Sequence, residues 1–89
     1  MNEFEKIKLI CEECMALREL LSEKIPGECY LGETEDGDLI LKKPNLFGVC
    51  YVINLHNEKI KELEKLISEL PDSLRRKMPP IRKIILKAN

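Results

Sequence analysis

The sequence predicts an α+β fold in which two amphipathic helices pack on one face of a small antiparallel sheet. Apolar residues recur at steps of three and four near the N-terminus and again after residue 57, which is the spacing of helices. Between these segments, short apolar runs are separated by turn residues, as in strands. The chain has 89 residues, of which 44% are hydrophobic and 35% charged, so we expect a single domain over residues 1–89.

The first predicted element is a helix from Phe4 to about Ile25. Pro26 and Gly27 end it, because proline lacks the amide proton that the helical hydrogen-bond ladder needs. The apolar stripe of this helix consists of Ile7, Ile10, Cys14, Leu17 and Leu21.

Three short apolar runs follow, over residues 29–31, 39–41 and 49–53, and each is typical of a strand. Asp36 and Gly37 lie between the first two runs and predict a tight hairpin turn, because glycine readily adopts a positive φ. The third run is apolar at nearly every position. We therefore expect it to be a central strand covered on both faces.

A second helix is predicted from Asn57, acting as its N-terminal cap, to about Leu70, where Pro71 stops it. Apolar residues on one side and Lys and Glu on the other make this segment amphipathic. A short helical turn capped by Asp72 or Ser73 is expected next.

The C-terminal end is predicted to be an extended link at Met78–Pro80 followed by an edge strand over residues 81–87. Three isoleucines favour the strand, although the prolines could instead begin a short helix. The predicted order of elements is therefore α-β-β-β-α-β.

Charge is divided unevenly along the chain. Residues 1–74 carry nine Lys or Arg against sixteen Asp or Glu, a net charge of −7. A basic C-terminal segment, residues 75–89, contains no acid and six cations: Arg75, Arg76, Lys77, Arg82, Lys83 and Lys87. Such a segment suits an acidic protein surface or nucleic-acid phosphates, and it could equally complement the acidic helices of the domain itself.

Four cysteines, Cys11, Cys14, Cys29 and Cys50, form a candidate metal site. Four thiolates, two of them separated by two residues, can hold zinc or an iron–sulfur cluster. However, Cys11 and Cys14 lie inside the predicted first helix, and Cys14 occupies a position where that helix needs an apolar core residue. Buried core thiols are the favoured interpretation, with a metal site or a disulfide as alternatives.

His56 is the single histidine and the one candidate for a general base. It lies at the predicted junction of a strand and a helix, where the sequence favours an exposed side chain beside a helix cap. No nucleophile, glycine-rich phosphate loop or paired-carboxylate motif accompanies it. We therefore assign no catalytic residue, and an enzyme is the function with the least support.

The N-terminal residues lack the pattern of a signal peptide, and no run approaches the roughly 20 apolar residues of a membrane-spanning helix. We expect a cytoplasmic protein that does not associate with membranes. The abundance of Lys, Glu and Ile and the absence of Gln are compatible with a thermophile.

These observations predict a small non-catalytic interaction or regulatory module. We expect a homodimer that binds a protein partner through its sheet and its basic C-terminal segment. A nucleic-acid-associated regulator that binds phosphates through residues 75–87 is one alternative, and a four-cysteine metal protein is another. The sequence identifies neither the partner nor whether the basic segment is docked on the domain.

Overall fold

The computed structural model describes residues 2–78 and 81–87, and the predicted α+β class is confirmed. The three α-helices in these ranges are α1 (Glu3–Lys24), α2 (Phe47–Ser68) and α3 (Asp72–Arg75), and the strands are β1 (Tyr30–Glu33), β2 (Leu39–Lys42) and β3 (Ile84–Lys87). The order of elements broadly agrees with the prediction. Of the predicted extended link, Pro79 and Pro80 lie outside the described residues.

Helix α1 forms as the sequence predicts. The side-chain oxygen of Asn2 accepts a hydrogen bond of 2.8 Å from the amide of Glu5 and so caps the helix. Acidic side chains in the first turn stabilise the helix further, because they lie at the positive end of its dipole. The helix ends at Lys24, two residues before Pro26. Its buried face consists of Ile7, Ile10, Cys14 and Leu21.

The predicted hairpin joins β1 to β2, which pair antiparallel. Gly37 has a φ of +88°, so this turn position favours glycine. The turn is held by Thr34, whose amide donates to the Asp38 carbonyl and whose carbonyl accepts from the Gly37 amide. Loop chemistry therefore sets the register of this hairpin.

The sheet is mixed, which corrects the predicted antiparallel sheet. Strand β3 pairs parallel with β2, with Ile84 opposite Leu39, and the strand order is β1-β2-β3. Two helices connect β2 to β3, and a helical crossover of this length allows the returning strand to run parallel to the first. The predicted edge strand is present in β3, and β2 is the central strand.

The predicted central strand over residues 49–53 is wrong, because these residues form the first turns of α2. The buried positions of α2 follow alternating steps of four and three without interruption: Val49, Ile53, His56, Ile60, Leu63 and Ile67. One stripe thus spans the whole helix and buries it against α1 and the sheet. Tertiary packing on this stripe overrides the strand propensity of Val and Ile.

The start of the second helix also differs from the prediction. Asn57 lies in the interior of α2 and is not its N-terminal cap. The expected short helix after Pro71 is present as α3, but it begins at Asp72 with Pro71 in the cap position and no side-chain cap.

The core consists of two apolar clusters along an antiparallel pair of helices. The first joins the N-terminal half of α1 to the C-terminal half of α2 and contains Ile7, Ile10, Cys14, Ile60, Leu63, Ile67 and Leu70. The second joins the opposite halves to the sheet and contains Leu21, Ile25, Cys29, Leu41, Val49, Ile53 and Ile84. The helices therefore cover one face of the sheet through the second cluster only.

Among the described residues, no helix combines the length and the apolar character that crossing a bilayer requires.

Truncating Ile53 to alanine tests its place in the second apolar cluster. Ile53 is fully buried in the second cluster, so the free energy of unfolding should fall by about 2 to 5 kcal/mol. The exposed neighbour Asn54 is the matched control: Asn54→Ala should leave stability unchanged or raise it slightly, because alanine favours a helix. Urea unfolding of both variants measures the difference, and equal losses would contradict the burial of Ile53.

Candidate functional site

A buried polar network lies between the two apolar clusters, and His56 is at its centre. The imidazole is 0% exposed and occupies a core position of α2, so the expected exposed histidine is wrong. From α1, the Nε of Arg18 donates a hydrogen bond of 2.9 Å to Nε2 of His56. The other ring nitrogen, Nδ1, lies 3.2 Å from the side-chain oxygen of Asn57.

These contacts define the protonation state of His56. Because Arg18 has no lone pair to offer, Nε2 must be the acceptor, and the single ring proton is on Nδ1. Burial is the main cause that lowers the pKa of His56, and the positive charge of Arg18 lowers it further, whereas the hydrogen bond with Asn57 acts in the opposite direction. His56 is therefore a neutral imidazole at pH 7.

Asn57 connects α2 to the start of β3. Its Nδ2 donates to the carbonyl of Ile84 at 2.7 Å, and its Oδ1 accepts from the amide of Ile84 at 3.0 Å. One side-chain amide thus satisfies both backbone groups of a single strand residue. This role needs Asn57 inside the helix, where its side chain faces the sheet.

Two further side chains hold the residues just before Ile84. A guanidinium nitrogen of Arg18 donates to the carbonyl of Arg82, and the carboxylate of Asp38 in the hairpin accepts from the amide of Lys83 at 3.1 Å. Arg82 is thereby bound to α1, Lys83 to the hairpin and Ile84 to α2. The network of Arg18, Asp38, His56 and Asn57 therefore fixes where the C-terminal segment docks.

An apolar cleft of about 180 Å³ lies beside this network, on the seam between α1 and α2. Its walls include the side chains of Ile7, Cys14, Ile60, Leu63, Ile67 and Ile81. Arg18 and Arg82 also line it. Ile7 and Arg18 are about 16 Å apart along the axis of α1, so the cations lie at one end of the cleft and Ile7 lies towards the other.

Arg18 carries its charge in a partly buried environment. Burial is the main cause that lowers its pKa, and the positive charge of Arg82 adds to this effect, while Cys14 and Asp38 act in the opposite direction. In the part of the chain that the structure describes, no carboxylate forms a salt bridge with Arg18 or Arg82. The Arg18 guanidinium therefore lies at one end of an apolar cleft, whereas the Arg82 side chain lies beside Gly37 of the hairpin.

The predicted basic segment is divided between two elements. Arg75, in α3, pairs with Asp72, and Arg76 and Lys77 follow it with exposed side chains. The remaining three cations, Arg82, Lys83 and Lys87, lie in or just before β3, also with exposed side chains. The segment from residue 81 to residue 87 is therefore docked as part of the fold and does not form a free tail.

The structure does not gather the four cysteines at one place. Cys14 belongs to the first apolar cluster, with Cys11 packed against it, and Cys29 belongs to the second cluster. The thiol of Cys50 donates to the carbonyl of Pro44 at 3.3 Å. Within residues 2–78 and 81–87, no group of three or more Cys, His, Asp or Glu side chains has the arrangement of a metal site.

The thiols of Cys11 and Cys14 are protonated at neutral pH. Burial is the main cause that raises the pKa of each above the usual thiol value. Glu12 raises the pKa of Cys11 further, and Cys11 raises the pKa of Cys14, whereas the positive charges of Arg18 and Lys59 act on Cys14 in the opposite direction. Neutral, partly buried thiols suit an apolar wall and lack the thiolate that nucleophilic or redox chemistry uses.

An exposed apolar surface lies where α1 ends and α2 begins. Phe47, the first residue of α2, is 96% exposed, and its neighbours Leu46 and Tyr51 are also exposed. Leu46 and Phe47 border a groove of about 410 Å³ that Leu20 and Val52 also line. We call Leu20, Leu46, Phe47 and Tyr51 the Phe47 surface.

Sequence reasoning missed Arg18, the contact of Asn57 with β3 and the Phe47 surface. Arg18 is one charged residue among many in α1, and its partner His56 is 38 positions further on. The available signal was the four-three spacing of α2, which places His56 on the core stripe and Phe47 outside it.

Comparison with known proteins adds no assignment, since no protein family, no curated protein and no solved structure matches this chain.

Removing the Asn57 amide should loosen β3. Asn57→Ala leaves the amide and carbonyl of Ile84 without their partners, so the free energy of unfolding should fall by about 1 to 3 kcal/mol. Hydrogen exchange at the Ile84 amide should accelerate in this variant, whereas the control Asn54→Ala should leave it unchanged. Unaltered protection of Ile84 would show that Asn57 does not hold the strand.

Stability should depend on the protonation of His56. Folding lowers its pKa, so the unfolded state takes up a proton more readily than the folded state. The contribution of His56 to the free energy of unfolding is complete above about pH 6.5, which is the pKa of a histidine in the unfolded chain. This contribution is lost as the pH falls below that value, by no more than about 1.4 kcal/mol per pH unit.

Urea unfolding at pH 7.5 and at pH 5.5 measures this dependence. His56 is the single histidine, so a His56→Gln variant should be less stable at pH 7.5 but nearly independent of pH over this interval. The same slope in both proteins would assign the effect to other groups.

Proposed function

We propose that this protein is a small non-catalytic interaction module that self-associates through the Phe47 surface. The observation that carries this proposal is the 96% exposure of Phe47, a large apolar side chain at the start of a helix. Burying a phenylalanine stabilises a complex by roughly 1.5 to 3 kcal/mol. Exposed apolar side chains that cluster in this way are typical of protein-binding surfaces.

The shape of the surface favours a second copy of the chain as the partner. Phe47 projects beside a groove whose walls are largely apolar, formed by Leu20, Leu21, Val49 and Val52. In a two-fold dimer the Phe47 of each copy can enter the groove of the other, so the same contact forms twice. The pair of contacts adds apolar burial to a chain that is short for a single hydrophobic core.

The sheet and the basic segment support a further contact with a protein partner. Strand β1 has all four residues exposed and is an edge strand, so its outer edge can pair with an extended segment. Among the six cations of the basic segment, only Arg75 forms a salt bridge within the described residues. The exposed cations suit an acidic partner.

The alternative, binding of nucleic-acid phosphates, rests on the same cations, and no further feature of the described residues supports it. Arg76 and Lys77 are separated in sequence from Arg82 and Lys83, and the chain as a whole remains acidic, with a pI of about 5.9. A protein surface therefore remains the better-supported partner for the basic segment.

Replacing Phe47 tests self-association. Two copies would together lose roughly 3 to 6 kcal/mol of apolar burial in Phe47→Ala, so the dimer dissociation constant should rise by about 100-fold or more. Sedimentation equilibrium over a range of micromolar concentrations measures that constant. Phe47 makes little contact within its own chain, so the melting temperature of the monomer should not fall.

The matched control is Phe4→Ala. Phe4 is the other phenylalanine, is 48% exposed and lies at the opposite end of α1 from the groove. This variant should dimerise as the unaltered protein does. A monomeric unaltered protein, or equal weakening by both substitutions, would refute self-association through Phe47.

A further inference from the structure

We propose that Cys11, Cys14 and Met15 bind one copper(I) ion at the wall of the cleft between α1 and α2. All three side chains line this cleft. The site is independent of self-association, because the two cysteines belong to the first apolar cluster and the Phe47 surface adjoins the second.

Helix geometry brings these sulfur-containing side chains to one side of α1. Cys14 follows Cys11 by three positions, and Met15 follows it by four. Residues at these spacings are neighbours on a helix, with Cβ atoms about 5 to 6 Å apart. The two thiols lie close enough for Cys11 to raise the pKa of Cys14, beside the larger effect of burial. One ion can therefore contact all three side chains without a change in the helix.

The kind and number of ligands favour copper(I). Thiolate and thioether sulfurs are soft ligands, and together they select this ion. A structural zinc site needs four ligands. Within residues 2–78 and 81–87, no further Cys, His, Asp or Glu joins the two thiols to form such a site. Copper(I) accepts a lower coordination number, so two thiolates and one thioether complete its ligand set.

Binding is an exchange of protons for a metal, with no change of oxidation state. The copper(I) ion forms a bond to each cysteine sulfur, and the two thiol protons pass to the solvent. Because one positive ion meets two thiolates, the complex carries a single negative charge. An external ligand that delivers the copper(I) ion leaves unchanged.

The surrounding charges act on this complex in both directions. Burial is the main cause that raises the pKa of Cys14, with smaller contributions from Cys11 and Glu13. The positive charges of Arg18 and Lys59 lower that pKa. Arg18 also lines the cleft, so its guanidinium favours the negative charge of a copper(I) dithiolate.

The exposure of the three side chains gives the ion a way in. Cys14 is 6% exposed, Cys11 is half-buried and Met15 is 64% exposed. An ion can therefore meet Met15 and Cys11 at the surface before it reaches Cys14. Core packing accounts for a thiol at the buried position, but it does not account for an exposed thioether beside it.

Competition for copper(I) tests the proposal. The fully reduced protein, kept free of oxygen, is titrated into the coloured copper(I) complex of bicinchoninate, and the loss of colour measures transfer. The unaltered protein should take up one copper(I) per chain. In Cys11→Ala the affinity should fall at least about 100-fold, because one of the two thiolates is lost. Cys11 is only partly buried, so this variant keeps the core.

The matched control for the thiol is Cys50→Ser. Its hydroxyl can still donate to the carbonyl of Pro44, as the Cys50 thiol does, and position 50 is outside the cleft. This variant should bind one copper(I) with the affinity of the unaltered protein.

A second pair of variants tests the thioether. Met15→Leu keeps an apolar side chain and removes the sulfur, so the affinity should fall about tenfold while one copper(I) per chain still binds. Met78→Leu removes a thioether outside the cleft and should leave the affinity unchanged.

Three results would overturn the proposal. Failure of the unaltered protein to withdraw copper(I) would show that the cleft holds no such site. Equal uptake by Cys11→Ala and the unaltered protein, or equal loss in Cys11→Ala and Cys50→Ser, would place binding elsewhere. Equal affinity of Met15→Leu and the unaltered protein would contradict the thioether ligand. None of these results bears on dimerisation, which Phe47→Ala tests at a separate surface.

Discussion

The mixed sheet depends on the pair of hydrogen bonds between Asn57 and Ile84. The carbonyls of Lys83 and Lys87 accept hydrogen bonds from β2 and from the loop after it. Because successive residues of a strand direct their backbone groups to opposite sides, the amide and carbonyl of Ile84 point away from β2. At that outer edge, Asn57 supplies the donor and acceptor that a neighbouring strand would otherwise provide. It thereby satisfies the backbone of an edge strand, blocks further pairing at this residue and sets the position of β3 on α2. Strand β1, at the opposite edge, has no such protection in the described structure.

His56 makes this arrangement possible at some cost in apolar burial. A leucine at its position would continue the core stripe of α2, but it would leave Arg18 and Asn57 each without one partner. The neutral imidazole accepts a hydrogen bond from Arg18 and donates one to Asn57, so every member of the network has a partner. Among the described residues, no buried side-chain polar atom lacks a hydrogen bond. The same interactions divide the core into two clusters and orient the Arg18 guanidinium beside the cleft. A structural requirement of the core and a feature of the candidate binding site thus come from one set of hydrogen bonds.

Local signals in the sequence predicted much of the fold. Pro26 follows the end of α1, Asp36 and Gly37 form the hairpin turn, and Ile84 and Ile85 begin β3, because each of these features acts through nearby residues. The run at residues 49–53 was assigned wrongly because an apolar, β-branched run resembles a buried strand, and the polar pair His56 and Asn57 resembled a helix start. The polar network was not predictable in this way, since it joins residues from α1, the hairpin, α2 and β3. Counting charges identified the basic segment, but the network uses the backbone of Arg82 and Lys83, which a charge count does not describe.

The network and the cleft are physically linked through residues 81 to 84. Ile81 and Arg82 border the cleft, while the carbonyl of Arg82 and the backbone of Ile84 are held by the network. Protonation of His56 would weaken this docking, because an imidazolium cannot accept from Arg18 and places a second positive charge beside the Arg18 guanidinium. Acidification thus acts on the docked segment through the network, whereas the Phe47 surface rests on the second cluster and stands apart from the network.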